Sequence, residues 1–160
     1  MPNSMDGEDL SVGGHVIRAV DVGSSDVPSS SVVHIPELAA VLSGDVAYNN
    51  THMWLAGSTA ATRADWLTAL DRIEKLNPTT IINGHKDPAA PDDDAHRILD
   101  QSREYLLDFD QAAAAAGSPA DLVAAMLARY PDLGNPYTLW VAAHDQPELT
   151  AAATKVMAGR

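Results

Sequence analysis

The sequence predicts an α/β fold of about four strands with flanking helices, extended by a C-terminal helical tail. That expectation rests on three features. The stretch from His15 to Ser43 is rich in β-branched residues broken by small polar ones. Two middle segments carry apolar residues at helical spacing, and one short apolar run, Thr79-Thr-Ile-Ile-Asn83, stands alone between them. From Ser118 onward each segment opens on a helix-start signal.

Near the N-terminus, His15-Val-Ile-Arg-Ala-Val-Asp21 alternates in part, as a half-buried strand does. Gly23-Ser-Ser-Asp-Val-Pro-Ser-Ser30 is a turn-rich loop. Ser31-Val-Val-His-Ile35 and Ala39-Ala-Val-Leu-Ser43 flank Pro36-Glu37-Leu38, which predicts a hairpin. Thr62-Arg-Ala-Asp65 has the form of a capping box, and Trp66, Leu70, Ile73 and Leu76 after it make one apolar stripe. Asn77-Pro78 ends that helix, because Pro disfavours α geometry in the residue before it. A second helix begins after Asp92-Asp-Asp94, whose carboxylates suit the positive end of the helix dipole. Its stripe is Ala95, Ile98, Leu99, Ser102, Tyr105, Leu106 and Phe109, and it runs through the Ala112–Ala116 tract to Gly117. Ser118-Pro119-Ala-Asp121 caps a third helix with Leu122, Val123, Met126, Leu127 and Tyr130 on its buried face. Asn135-Pro136 starts a short helix holding Leu139 and Trp140, and Pro147 starts a last one.

At 160 residues the chain has the length of one domain. The expected division is 1–110 for the α/β part and 111–160 for a helical extension packed on it. With no Cys, disulfide scaffolds and thiolate metal sites are excluded. A formal net charge of −12 repels phosphate backbones and anionic headgroups, so neither nucleic acid nor a membrane surface is expected as a partner. No apolar run approaches the roughly 18 residues of a spanning helix. MPNSMDGEDL has neither the basic nor the apolar region of a signal peptide, so a cytoplasmic location is expected.

Chemistry concentrates at two places, Leu42-Ser-Gly-Asp-Val-Ala-Tyr-Asn49 and Ile81-Ile-Asn-Gly-His-Lys-Asp-Pro88. Each sets a Gly and then a metal-competent side chain just past an apolar strand: Gly44 before Asp45, Gly84 before His85. If the two strands share a sheet and end on the same side, Asp45 and His85 converge across forty residues of chain. A carboxylate oxygen with an imidazole nitrogen suits zinc, manganese or iron. The competing reading is plain: Asp after Gly is often a turn residue or a helix cap.

The segment from Val32 through Pro36-Glu-Leu38 and Ser43-Gly-Asp45 to Leu55 resembles the metallo-β-lactamase superfamily. Asn83-Gly-His-Lys-Asp-Pro88 looks like that family's last histidine ligand, and Tyr130-Pro131, Asn135-Pro136 and Leu139-Trp140 resemble the tail of a bacterial subgroup. Order and spacing together, with no single motif decisive, carry the resemblance. It implies the C-terminal half of an αββα sandwich, in which Asp45 binds or bridges metal and His85 completes the second site. It also implies a metal-activated water attacking an ester, thioester or lactam carbonyl. The departures matter as much. The H-x-H-x-D-H run that supplies most ligands is missing, and Ser24 stands in Gly23-Ser24-Ser25-Asp26 where the family has a Gly-His turn. Two ligands make a weak site, so low zinc occupancy is expected of the isolated chain.

Half a sandwich leaves the inner face of its sheet bare, which implies a homodimer or a separately encoded N-terminal half. The rival is a non-catalytic binding or assembly module with a vestigial metal site; a third possibility is a fragment with a misplaced start. The loop after Asp45 would face a small-molecule substrate, making His52 a candidate added ligand or proton donor and Trp54 a lid or core aromatic. Tyr48 is either a hydrogen-bond donor near the site or a space filler, and Lys86 either meets an anionic group or is solvated. His34 is expected to be structural, His96 and His144 to lie on the surface, and the serines of 24–31 to form turns, since no G-x-S-x-G elbow accompanies them.

Overall fold

The computed structural model describes residues 9–147 and 149. Five strands form one sheet in chain order: β1 Leu10–Val12, β2 His15–Gly23, β3 Ser30–Ile35, β4 Ala40–Gly44 and β5 Thr80–Asn83. The first four are antiparallel neighbours, while β5 runs parallel to β4. A parallel pair needs a crossover, and α1, Ala60–Glu74, supplies it. Three further helices follow: α2 Ala95–Ala115, α3 Pro119–Arg129 and α4 Pro136–His144. The expected α/β class with flanking helices and a helical tail is the one found, with five strands in place of four. The added strand, β1, is three residues long and exposed throughout.

The hairpin between β3 and β4 closes through a 3-10 turn, Pro36–Leu38, with Ala39 in left-handed backbone at φ 45°. Strand alternation sorts the sheet into two faces. Val22, Val32, Val41 and Ile81 point into the core with Trp66, Ala69, Leu70 and Ile73 of α1. His34 lies on the same face, and its burial, with Arg18 nearby, holds its pKa below the usual histidine value.

Helix α1 starts earlier than expected. The capping box is Thr59 with Thr62, whose hydroxyl takes the N–H of Thr59 at 2.9 Å, rather than Thr62 with Asp65. Helix α2 is capped by Asp94, and all seven residues of its expected stripe are buried. It runs past residue 110, so the division placed there falls inside a helix. Arg63, 4% exposed, joins α1 to α2: its Nε donates to Asp110 at 2.5 Å, and the guanidinium lies 5.1 Å from the centre of the Phe109 ring. Ser118 caps α3, as expected, and Leu122 and Met126 are fully buried. Leu127 is exposed rather than on the buried face of α3, and Trp140 on α4 is exposed as well. Leu139, Ala142 and Ala143 of α4 complete the same core. The helix expected from Pro147 falls largely outside the described residues. No described helix is long and apolar enough to cross a membrane.

Candidate metal centre

β4 and β5 are parallel, so their C-terminal ends lie side by side and deliver Asp45 and His85 to the same rim of the sheet. The Oδ1 of Asp45 is 3.4 Å from the Nε2 of His85, and each side chain is about half exposed, at 46% and 51%. Two glycines make this approach possible. Gly44 turns off the strand at φ 54°, in the left-handed region that residues with a Cβ resist. Gly84 has another reason: a Cβ there would run into the Asp45 carboxylate and come within 3.2 Å of the Gly44 carbonyl carbon. Its N–H donates to the Gly44 carbonyl at 2.9 Å.

Beyond the strands the two loops stay zipped together. Asn49 N–H donates to the His85 carbonyl at 3.2 Å, and Asp87 N–H to the Asn49 carbonyl at 2.9 Å. Below them the Asn83 amide donates to Ser43 Oγ at 3.1 Å and to the Ala47 carbonyl at 2.7 Å. Trp66 Nε1 donates to the Val46 carbonyl at 2.8 Å. From the other side, α2 grips the loop. Ser102 Oγ accepts from Tyr48 N–H at 3.0 Å, Gln101 Oε1 accepts from Asn50 N–H at 3.0 Å, and Arg97 donates to Asn49 Oδ1 at 2.8 Å. The metal-competent pair therefore stands on a scaffold fixed from two helices and a strand.

Asp45 and His85 open onto a cleft of about 240 Å³ lined also by Asp26, Tyr48, Trp54 and Thr138. The Tyr48 ring stacks on His85, centroids 5.4 Å apart and planes 14° from parallel. Burial and the neighbouring Asp45 charge push the Tyr48 phenol well above its usual pKa, so it stays neutral. Trp54 is 39% exposed and forms part of the cleft wall. Lys86 pairs with Asp92 at 2.6 Å rather than facing the cleft. In the Gly23–Asp26 turn it is Asp26, not Ser24, that reaches the cleft; Ser24 lines a separate hollow with Gly57, Ser58 and Thr62. Sequence reasoning does not single out Asp26 or Thr138. The first has a local signal, a carboxylate in the Gly23–Asp26 turn, while Thr138 has none, because it arrives from a helix about ninety residues further on.

His52 is not brought to this cleft. It is fully buried, its Nδ1 lies 3.0 Å from the Tyr105 hydroxyl, and its Nε2 has no hydrogen-bond partner. Burial lowers its pKa, keeping the ring neutral. Thr138 Oγ1 donates to the His52 carbonyl at 3.0 Å, so the segment joins β4, α2 and α4. His96 and His144 sit on the surface, as expected, the latter stacked on Trp140.

Donor type at Asp45 and His85 suits zinc, with one hard oxygen and one borderline nitrogen. Donor number is half of a four-coordinate site. Among the described residues, no group of three or more His, Asp and Glu side chains is placed to hold an ion.

The fold has clear counterparts among solved structures. A beta-lactamase domain protein from Burkholderia ambifaria superposes with a TM-score of 0.63 at 18% identity, covering 94% of this chain and 48% of that one. A metallo-beta-lactamase family protein from Thermus thermophilus gives 0.59 at 16% identity, covering 92% and 49%. A metallo-beta-lactamase from Pontibacter korlensis gives 0.51 at 15% identity, covering 66% and 47%. No protein-family model matches the sequence, and no curated protein matches it. The chain has the fold of part of a metallo-β-lactamase, and it spans about half the length of these solved structures.

Proposed function

We propose that this chain supplies a carboxylate, Asp45, and an imidazole, His85, to the metal centre of a metallo-β-lactamase-type hydrolase whose other ligands come from a completing half. That half is a second copy, a separate chain or a further part of the same protein. The observation that carries the reading is the 3.4 Å approach of Asp45 Oδ1 to His85 Nε2 at the ends of adjacent parallel strands. Zinc, or manganese or iron, held there would supply a Lewis acid and an acidified water for attack on an ester, thioester or lactam carbonyl. The chain's own residues prepare the ground. Gly44 and Gly84 let the two ligands meet, Tyr48 packs against the His85 ring, and Trp54 forms one wall of the cleft. His52, buried behind Tyr105, has no place in the reacting set under this reading.

A second reading, a non-catalytic half-fold module with a vestigial site, is favoured by the absence of a third ligand among the described residues. Equilibrium dialysis against zinc separates the two. The hydrolase reading expects weak zinc binding by the wild-type chain, measured at zinc concentrations up to the millimolar range and lost in both Asp45→Ala and His85→Ala, with folding unchanged by circular dichroism. No zinc bound by the wild type, or equal binding in all three proteins, contradicts it and leaves the module.

A further inference from the structure

We propose that the cleft beside Asp45 and His85 takes a cationic substrate, an ester whose ammonium group is held by the Asp26 carboxylate and the Trp54 indole. An oxygen of the same molecule accepts from the Tyr48 hydroxyl. The proposal rests on the hydrolase reading for the cleft as a substrate site and goes beyond it in naming the substrate's charge.

Strand direction places Asp26. β2 runs antiparallel to β3, and β3 to β4, so β2 shares the direction of β4 and β5. The ends of all three, at Gly23, Gly44 and Asn83, open on one rim, and the turn after β2 carries Asp26 to the cleft that Asp45 and His85 line. β2 and β4 lie two strand spacings apart, roughly 10 Å. That spacing keeps Asp26 out of a shared ion site: among the described residues, no three His, Asp and Glu side chains are placed around one ion. Asp26 is therefore left over when Asp45 and His85 hold a metal.

Charge in the cleft is one-sided. None of its six described lining residues is Lys or Arg, and Lys86 is taken up by Asp92. Asp45 is answered by His85. Asp26 Oδ1 accepts from Ser25 Oγ at 2.8 Å, and no described Lys, Arg or His pairs with the carboxylate. Its charge acts on the Tyr48 phenol, which puts the carboxylate on the cleft side of its turn. A carboxylate without a counter-charge, close to an indole that is 39% exposed, suits an organic cation, which both groups attract.

Tyr48 points independently to a ligand. It lines the cleft but is only 3% exposed, and its hydroxyl has no hydrogen-bond acceptor among the described residues. The Trp54 backbone, which approaches the phenol oxygen, offers it an N–H and no acceptor. A buried hydroxyl left unpaired is costly, so an acceptor oxygen belongs beside it. The cleft of about 240 Å³ equals about eight waters at roughly 30 Å³ each, room for a small amino ester as well as an ion.

An NMR titration of the full chain in EDTA, at pH about 6 where an α-amine is protonated, tests this with glycine methyl ester and its neutral isostere, methyl propanoate. Glycine methyl ester should shift the Trp54 indole resonance and saturate at millimolar concentration, with methyl propanoate binding about tenfold more weakly. Asp26→Asn keeps an oxygen for Ser25 and removes the charge, so it should fold as the wild type does and bind both esters alike. Glu104→Gln, at an exposed acid of α2 outside the cleft, should keep the preference. Equal binding of the two esters by the wild type, or binding of neither, overturns the proposal. So does a preference that survives Asp26→Asn or disappears in Glu104→Gln. Zinc binding without an amine preference would fail this proposal alone, and an amine preference without zinc binding would fail the metal reading alone.

Discussion

Gly44 and Gly84 occupy the two backbone positions on which the approach of Asp45 to His85 depends, and for different physical reasons. Gly44 needs a positive φ; Gly84 needs the absence of a side chain, because the Asp45 carboxylate fills the space a methyl would take. Gly84→Ala must therefore displace the carboxylate or the strand end. Asp45 is about half exposed and can swing aside, so the expected stability loss is small, under about 1 kcal/mol, and the main effect is weakened zinc binding. Urea denaturation and a zinc titration of the variant check this; a variant as stable and as zinc-competent as the wild type contradicts the geometry. Among single residues the sequence is informative where a local rule applies. A glycine followed by a metal-competent side chain after an apolar run marks Asp45 and His85. His52 carries no such mark, because its burial depends on Tyr105, fifty-three residues away.

At the scale of elements, the segment from Asp45 to His52 is tied to α2 through Arg97, Gln101, Ser102 and Tyr105 and to α4 through Thr138. Neutral His52 is part of that junction, and this gives stability a pH dependence. Its folded pKa lies below the ordinary value of about 6.5, so as pH falls through about 6.5 the unfolded chain takes up a proton that the folded chain refuses. Stability is fully present above that pH and declines below it; buried His34 acts in the same direction. Urea titrations at several pH values should show this decline, with a smaller one in His52→Gln. An equal decline in the variant would place the effect elsewhere. Helix α2 is fully legible in the sequence because its seven stripe residues follow the helical period and all face the core. The cap of α1 lies three residues from its expected place because Thr59 and Thr62 both suit a cap, and only the hydrogen bonds decide. β1 escapes sequence reading since Leu10-Ser-Val12 is too short for periodicity and is held by pairing with β2, a tertiary effect.

The described residues form one sheet whose core face packs on the helices, and the other face keeps Ala19 and Ile82 exposed. The half-fold is readable from the sequence because the order of strands, hairpin and helices runs along most of the chain. The cleft is not, since its walls come from residues as far apart as Asp26 and Thr138. The proposed function stands or falls on whether Asp45 and His85 hold one metal ion between them. Imidazole ¹⁵N NMR during a zinc titration reads this out at the ligand itself, because each of the six histidines reports separately. The His85 Nε2 resonance should shift first, buried His52 and His34 should stay still, and the His85 response should be lost in Asp45→Ala. A titration in which His85 does not move, or moves equally without Asp45, would contradict the metal centre.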